Sequence, residues 1–171
     1  MTHEWVFSLG AGLSDPTGEF EQQVKVGSHV IADVGHHFNP SWLLGLRGGY
    51  FAFDSEDEWR ESTGLDRMTY LNANVDLRLM LYPESWFTPY VLAGVGANLE
   101  SQFFNEPGGE RSVEVFRIGF TGGIGFSFHR QRSPLSMFTE LIYHHYPTPD
   151  GSRQFVRWTT GLRLSVGGRP F

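Results

Sequence analysis

The 171-residue sequence contains no cysteine, which excludes disulfides and thiolate metal centres. It also lacks any apolar run near the roughly 18 residues that a membrane-spanning helix needs, and its mean hydropathy is slightly negative. Helical membrane spans are therefore excluded. Spanning strands are not, because their apolar residues alternate with polar ones and leave no run. Basic charge is scarce, with 13 Lys and Arg against 19 Asp and Glu. A net charge of −6 argues against nucleic acid as a partner. The start, Met1-Thr2-His3-Glu4, has neither the basic nor the apolar stretch of a secretion signal. Glycine, at 21 residues, and aromatic residues, at 15%, are plentiful instead.

The plentiful residues are ordered. In Thr88 to Glu100, one parity reads Pro89, Val91, Ala93, Val95, Ala97, Leu99, and the other mixes Tyr90 and Leu92 with Gly94, Gly96, Asn98 and Glu100. The same alternation runs through Trp5–Leu13, Val24–His37, Trp42–Phe53, Arg67–Tyr82, Val113–His129, Leu135–Tyr146 and Phe155–Val166. Period-two alternation over such lengths predicts strands, about eight of them, and no segment shows a convincing helical period. The connections alternate too. Short ones at Asn39-Pro40-Ser41, Pro83-Glu84-Ser85 and Arg130–Pro134 separate longer polar ones at Ser14–Gln23, Asp54–Asp66, Ser101–Ser112 and Pro147–Arg153.

These features predict an all-β chain, residues 1–171 forming one eight-stranded antiparallel up-and-down transmembrane barrel. The apolar parity faces lipid, and the glycine-rich parity faces a lumen that side chains fill. Backbone polar groups in hydrocarbon must be paired, which a closed sheet achieves. Lys25, Asp33, Arg47, Asp76, Arg78, Arg117, Glu140, Arg157 and Arg163 fall on the inward parity. Buried charges of both signs predict a salt-bridge network that plugs the lumen, with Arg117 or Arg157 as the partner of Glu140. Trp5, Trp42, Phe87 and Phe128 fall on the outward parity near the short turns, where an interfacial aromatic girdle belongs. The competing reading is a soluble sandwich with the charges on its solvent face. The aromatic placement argues against it.

The run Phe87-Thr88-Pro89-Tyr90-Val91-Leu92-Ala93-Gly94-Val95-Gly96 resembles the fifth strand of small outer-membrane barrels, and Phe138-Thr139-Glu140-Leu141-Ile142-Tyr143 resembles their seventh. The resemblance is to the OmpA-like and OmpX-like barrel superfamily and covers nearly the whole chain. It implies a monomeric protein of the bacterial outer membrane, in contact with lipid and lipopolysaccharide and inserted by the barrel-insertion machinery. The chain then reads as a mature form without its signal peptide. The terminal Phe171 matches the aromatic end of that family, although Gly167-Gly168-Arg169-Pro170 breaks the alternation before it.

Chemistry finds little footing. A lipid A deacylase resembling PagL carries His-x-Ser on a late strand. Here His145-Tyr146-Pro147 puts proline at the nucleophile's place, and Arg153 and Gln154 stand near the place of the Glu. The triad logic fails without the hydroxyl. His36-His37 and His144-His145 are adjacent strand residues on opposite faces, so neither pair chelates one metal. His29 and His144 are candidates for a luminal site with Glu140 or Asp33. Asp54-Ser55-Glu56-Asp57-Glu58 offers oxygens to a divalent cation, but a solvated loop is the plainer reading. The expectation is a non-enzymatic protein without metal or cofactor that acts through its long loops in adhesion or ligand contact. The alternative is a narrow OmpW-like channel for small molecules.

Overall fold

The computed structural model describes residues 4–83, 85–106, 109–130, 133–148 and 151–167. Phe171, and with it the terminal aromatic signal, lies outside them. Eight strands follow one another: β1 Glu4–Thr17, β2 Gly27–Asn39, β3 Trp42–Asp54, β4 Leu65–Met80, β5 Phe87–Glu106, β6 Gly109–His129, β7 Leu135–Thr148 and β8 Gly151–Val166. Each pairs antiparallel with the next, and β8 returns to β1, so the barrel is closed.

The register fixes its dimensions. Phe7 pairs Val34, then Leu46, Val75, Val95, Phe120, His145 and Gln154 in turn, and Gln154 pairs Thr17. The circuit closes 10 residues further along β1 than it began. Over eight strands that shear tilts the strands by about 40° and leaves an interior that side chains fill.

The two walls differ as alternation demands. Leu9, Phe116, Ile118 and Trp158 are each more than 60% exposed on the outer wall, while Val6, Tyr90 and Arg78 are buried inside. Outward polar groups in this band are satisfied locally. Trp158 Nε1 donates to Thr139 Oγ1 at 2.9 Å, and the Thr139 and Thr160 hydroxyls donate to the carbonyls of Thr159 and Phe138. An apolar band with its polar groups internally paired suits hydrocarbon and not water. Towards the long-loop end the outward positions become Asp15, Asp54, Arg67 and Glu114.

Three of the long connections depart from the sequence expectation, and in one of them, Ser101–Ser112, the expected polar loop is largely strand, with β5 running to Glu106 and β6 starting at Gly109. The Asp54–Asp66 connection contains a helix, α1, Asp57–Thr63, which ends on Gly64 at φ 73°, a left-handed cap that glycine adopts freely. A single 3-10 turn, Gly18–Phe20, interrupts the first long connection. The two connections are joined through an isolated Val24–Ser55 bridge. Beyond the Phe120–His145 pair, where β6 parts from β7, the β5–β6 hairpin runs on to the Glu106–Gly109 pair.

Candidate functional site: a lumen in two layers

Inward glycines let large side chains enter the lumen. A Cβ on Gly125 falls 2.4 Å from the Tyr90 ring, and one on Gly45 falls 2.9 Å from Asp76 Oδ1. The space so released holds a layer of charge. Asp33 and Asp76 alternate with two arginines in a closed ring. Arg78 lies 3.0 Å from Asp33 and 2.7 Å from Asp76, and Arg47 lies 3.4 Å and 3.6 Å from the same carboxylates. Arg47 also grips Glu140 with both terminal nitrogens at 3.0 Å. Tyr90 donates to Glu140 at 2.9 Å, and Arg157 and Arg163 approach it at 3.3 and 3.9 Å. Arg163 is otherwise held by the hydroxyls of Ser8, Ser127 and Tyr90 and lies over the Tyr90 and Phe138 rings at 5.3 and 5.0 Å. Below it, a cavity of about 20 Å³ opens at the short-turn end beside Glu4, His37 and His129.

Above the charge sits an aromatic stopper. Phe20, carried in by the 3-10 turn, is fully buried and meets Phe53 and Tyr70 edge-on at centroid distances of 5.5 and 6.0 Å. Phe51, Phe138, Tyr146 and Phe155 complete the cluster, with Trp59 of α1 and Phe104 packed against it. One ion group borders the stopper. Glu100 takes Arg117 at 2.9 Å and Arg153 at 3.9 Å, and the Arg153 guanidinium lies 5.5 Å over the Phe20 ring.

The expected luminal residues thus divide. Asp33, Arg47, Asp76, Arg78, Glu140, Arg157 and Arg163 meet in one layer, and Arg117 lies apart with Glu100. Of the two arginines expected as partners of Glu140, Arg157 reaches it and Arg117 does not, and Arg47 joins it from the opposite side of the barrel. Lys25 is a second correction. It is half-exposed and pairs with Asp57 at 2.9 Å, while its neighbour Val24 is the buried one. The alternation fails there because the chain leaves the sheet before Gly27 and bridges to Ser55 instead. Sequence reasoning missed Phe20, Glu100 and Arg153 as luminal groups. The inward parity of Glu100 was a usable signal, but Phe20 stands in a polar connection that gives none.

His29 lies between Ser14 at 2.9 Å and Thr159 at 2.8 Å, and His144 contacts Tyr146 at 3.2 Å. Neither is hydrogen-bonded to Glu140 or Asp33. His36 faces outward against Trp5, with ring centroids 4.8 Å apart, and His145 stacks on Tyr143. Among the described residues no cluster of three or more His, Asp or Glu has the arrangement of a metal site. Trp5, Trp42, Phe87 and Phe128 all lie on the outer wall at the short-turn end, and the Phe87 ring stacks on Phe126 at 5.3 Å and leans on Phe128 at 5.5 Å. Exposed Phe38, Tyr82 and Trp86 belong to the same end.

A closed eight-stranded barrel with an apolar outer wall and a filled polar lumen is the fold of the small outer-membrane barrels. No protein-family model matches the sequence, and no curated protein matches it either. Solved structures do. The chain is similar to neisserial surface protein A, with 13% identity, 94% of this chain and 96% of that one covered, and a TM-score of 0.63. It is similar to the attachment invasion locus protein Ail of Yersinia pestis, with 16% identity, 96% and 100% coverage and a TM-score of 0.61. A major outer membrane protein from Thermus thermophilus shares 12% identity over 96% of this chain and 100% of that one, at a TM-score of 0.68.

Proposed function

We propose that this protein is a non-enzymatic barrel of the bacterial outer membrane whose lumen is plugged and whose loops make contacts at the cell surface. The aromatic end formed by Trp5, Trp42, Phe87 and Phe128 sits at the periplasmic interface, and the long connections face outward. The observation that carries this reading is the double filling of the lumen. A charged layer and an aromatic stopper occupy successive cross-sections, so the interior serves to hold the barrel rather than to pass solutes. What remains available for work is the loop face. That face carries the projecting β5–β6 hairpin and, between the first two long connections, an acidic cleft lined by Glu21, Glu56, Asp57, Glu58 and Trp59. An acidic face favours basic partner surfaces and gives contacts that weaken as salt is raised. The name of the Yersinia relative, an attachment invasion locus protein, fits a surface role for this fold.

Two measurements test the reading together. Purified barrel in a planar bilayer is expected to give no stable conductance. Cells displaying the barrel are expected to lose salt-sensitive adhesion when the hairpin between Ser101 and Glu114 is replaced by a short turn. Reproducible single-channel steps from the intact barrel overturn the plugged lumen in favour of a narrow channel. Adhesion unchanged by the replacement removes the hairpin from the surface role.

A further inference from the structure

The barrel closes, yet one strand edge stands open above it. Phe120 and His145 form the last pair between β6 and β7. Further along the same register Ile118 comes level with Pro147, whose ring nitrogen has no hydrogen to give. β7 ends at Thr148, while β6 reaches up to Gly109. Among the described residues no strand lies beside Gly109–Phe116 on the side away from β5.

The register also tells which backbone groups this edge presents. His129 N donates to the Trp86 carbonyl at 2.7 Å, in step with a β5–β6 pairing that runs without a shift. Alternate residues of an antiparallel ladder turn both N–H and C=O to the same neighbour. The odd-numbered residues of β6 are therefore bonded to β5, and Glu110, Ser112, Glu114 and Phe116 turn theirs to the open side. Ser112 and Glu114 are exposed, and Phe116 is 65% exposed. Folded proteins guard an open edge with proline, lysine, a bulge or brevity. Residues 109–116 hold neither proline nor lysine, and their pairing with β5 has no bulge. Val113, Val115 and Phe116 favour an extended chain. Climbing β6 from Phe128 at the short-turn girdle to Phe116 covers about 30 Å along the barrel axis, past the roughly 25 Å apolar band. The edge therefore meets water rather than hydrocarbon.

We propose that this edge takes an extended segment of another protein, about seven residues long, as an added strand. The rows it meets set its chemistry. Val113 and Val115 select β-branched apolar residues on one parity, and Glu114 selects lysine or arginine on the other. The proposal rests on the reading of the loop face as a contact surface and states how that face holds a partner. A second copy of the barrel does not fit. Related about the membrane normal, two strands each tilted by about 40° cross at roughly 80°, and the copy brings the same acidic face.

The test uses the barrel in lipid nanodiscs and a fluorescent synthetic peptide, IVKVTTK, whose third residue, lysine, is set opposite Glu114. Saturable binding is expected. Hydrogen exchange at the Ser112, Glu114 and Phe116 amides, read by NMR, is expected to slow, while Val113 and Val115 stay as they were. N-methylation of the peptide's third and fifth residues removes N–H groups aimed at the edge and should weaken binding by about tenfold or more. N-methylation of its second and fourth residues should leave binding intact. Ser112→Pro removes an edge N–H without touching the β5 ladder and should weaken binding to a similar degree. If that barrel does not refold, the two methylated peptides on the parent decide. Absence of binding, or binding indifferent to which parity is methylated, overturns the added strand. Protection of the same amides without peptide, growing with barrel concentration, overturns it in favour of a second copy. Cells displaying Ser112→Pro separate this failure from that of the surface role: adhesion that needs the hairpin but not this amide keeps the surface role and overturns the added strand.

Discussion

The two buried layers of the lumen are equally shut off from water, and they are held in place by opposite physics. In the aromatic stopper each ring gains by burial, at about 25 cal/mol per Å² of apolar surface removed from water. Its contacts are interchangeable to a degree, since Phe53 touches Phe20, Tyr70 and Phe155 alike. In the charge layer every group loses hydration, and only its partners return the loss. The stopper therefore contributes stability that accumulates ring by ring. The charge layer is close to neutral when complete and strongly unfavourable when broken. It also specifies geometry, because Arg47 reaches its partners only if β2, β3, β4 and β7 hold one register.

The sharpest way to break this comparison is Glu140→Ala, which takes a carboxylate from Arg47, Arg157 and Arg163 at once. Breaking one half of a buried pair costs about 3–5 kcal/mol, read from denaturant titration of barrels refolded into lipid. Double-mutant cycles should couple Glu140 to Arg47 and to Arg157 and leave Arg117 uncoupled. Coupling to Arg117 instead contradicts the register. A charge moved to the outer wall comes next. Val75→Arg faces lipid near mid-strand and is expected to cost about 2–4 kcal/mol in the same assay. A barrel as stable as the parent argues that the outer wall is not in hydrocarbon.

The stopper should respond more mildly to a single change. Phe20→Ala is expected to cost about 3 kcal/mol, near the lower end for a buried phenylalanine, because its connection is able to settle into the gap. The loss should not depend on salt, unlike an electrostatic one. It should also leave the bilayer silent, since the substitution does not touch the charge layer. Conductance in Phe20→Ala means that the aromatic layer alone is the plug.

The faces of this barrel were legible in the sequence, and the contacts across it were not. Alternation decides which side of the sheet a residue takes, and Asp33, Arg47, Asp76, Arg78, Glu140, Arg157 and Arg163 could be placed inside by counting in twos. Partnership depends on shear, which alternation does not encode. Glu140 on β7 finds Arg47 on β3, half a turn of the barrel away, because the lumen is narrow enough for side chains to meet across it. Neighbouring strands suggested Arg117 or Arg157, and Arg157 does reach Glu140, but the register sets Arg117 opposite Asn98, next to Glu100. The ends of strands were the other weak place. Val24 and Lys25 exchange their expected sides because the sheet has not yet begun there, and Phe20 enters the lumen from a connection that reads as polar. The 7-residue α1 buries none of its residues fully, so no apolar period marked it.

The smallest expected effect belongs to one of the exposed pairs that lie in neither layer. Lys25 Nζ and Asp57 Oδ1 are 2.9 Å apart, and both side chains are solvent-accessible. The Lys25 hydrogen bond, reinforced by its charge, holds the Asp57 carboxyl below the usual carboxylate range. A depressed folded value means that the folded chain favours the ionised acid. The contribution is present above the ordinary carboxylate value and is lost as pH falls through the lowered one. Solvent screening keeps such a pair weak, so the unfolding midpoint of the barrel should not register its loss. The titration itself should. In Lys25→Met the Asp57 carboxyl, followed by NMR in detergent micelles, is expected to return towards its ordinary value while the lumen stays as it was. Identical Asp57 titrations in parent and variant exclude the pair. A barrel destabilised by Lys25→Met returns Lys25 to the lumen, where the alternation alone had placed it.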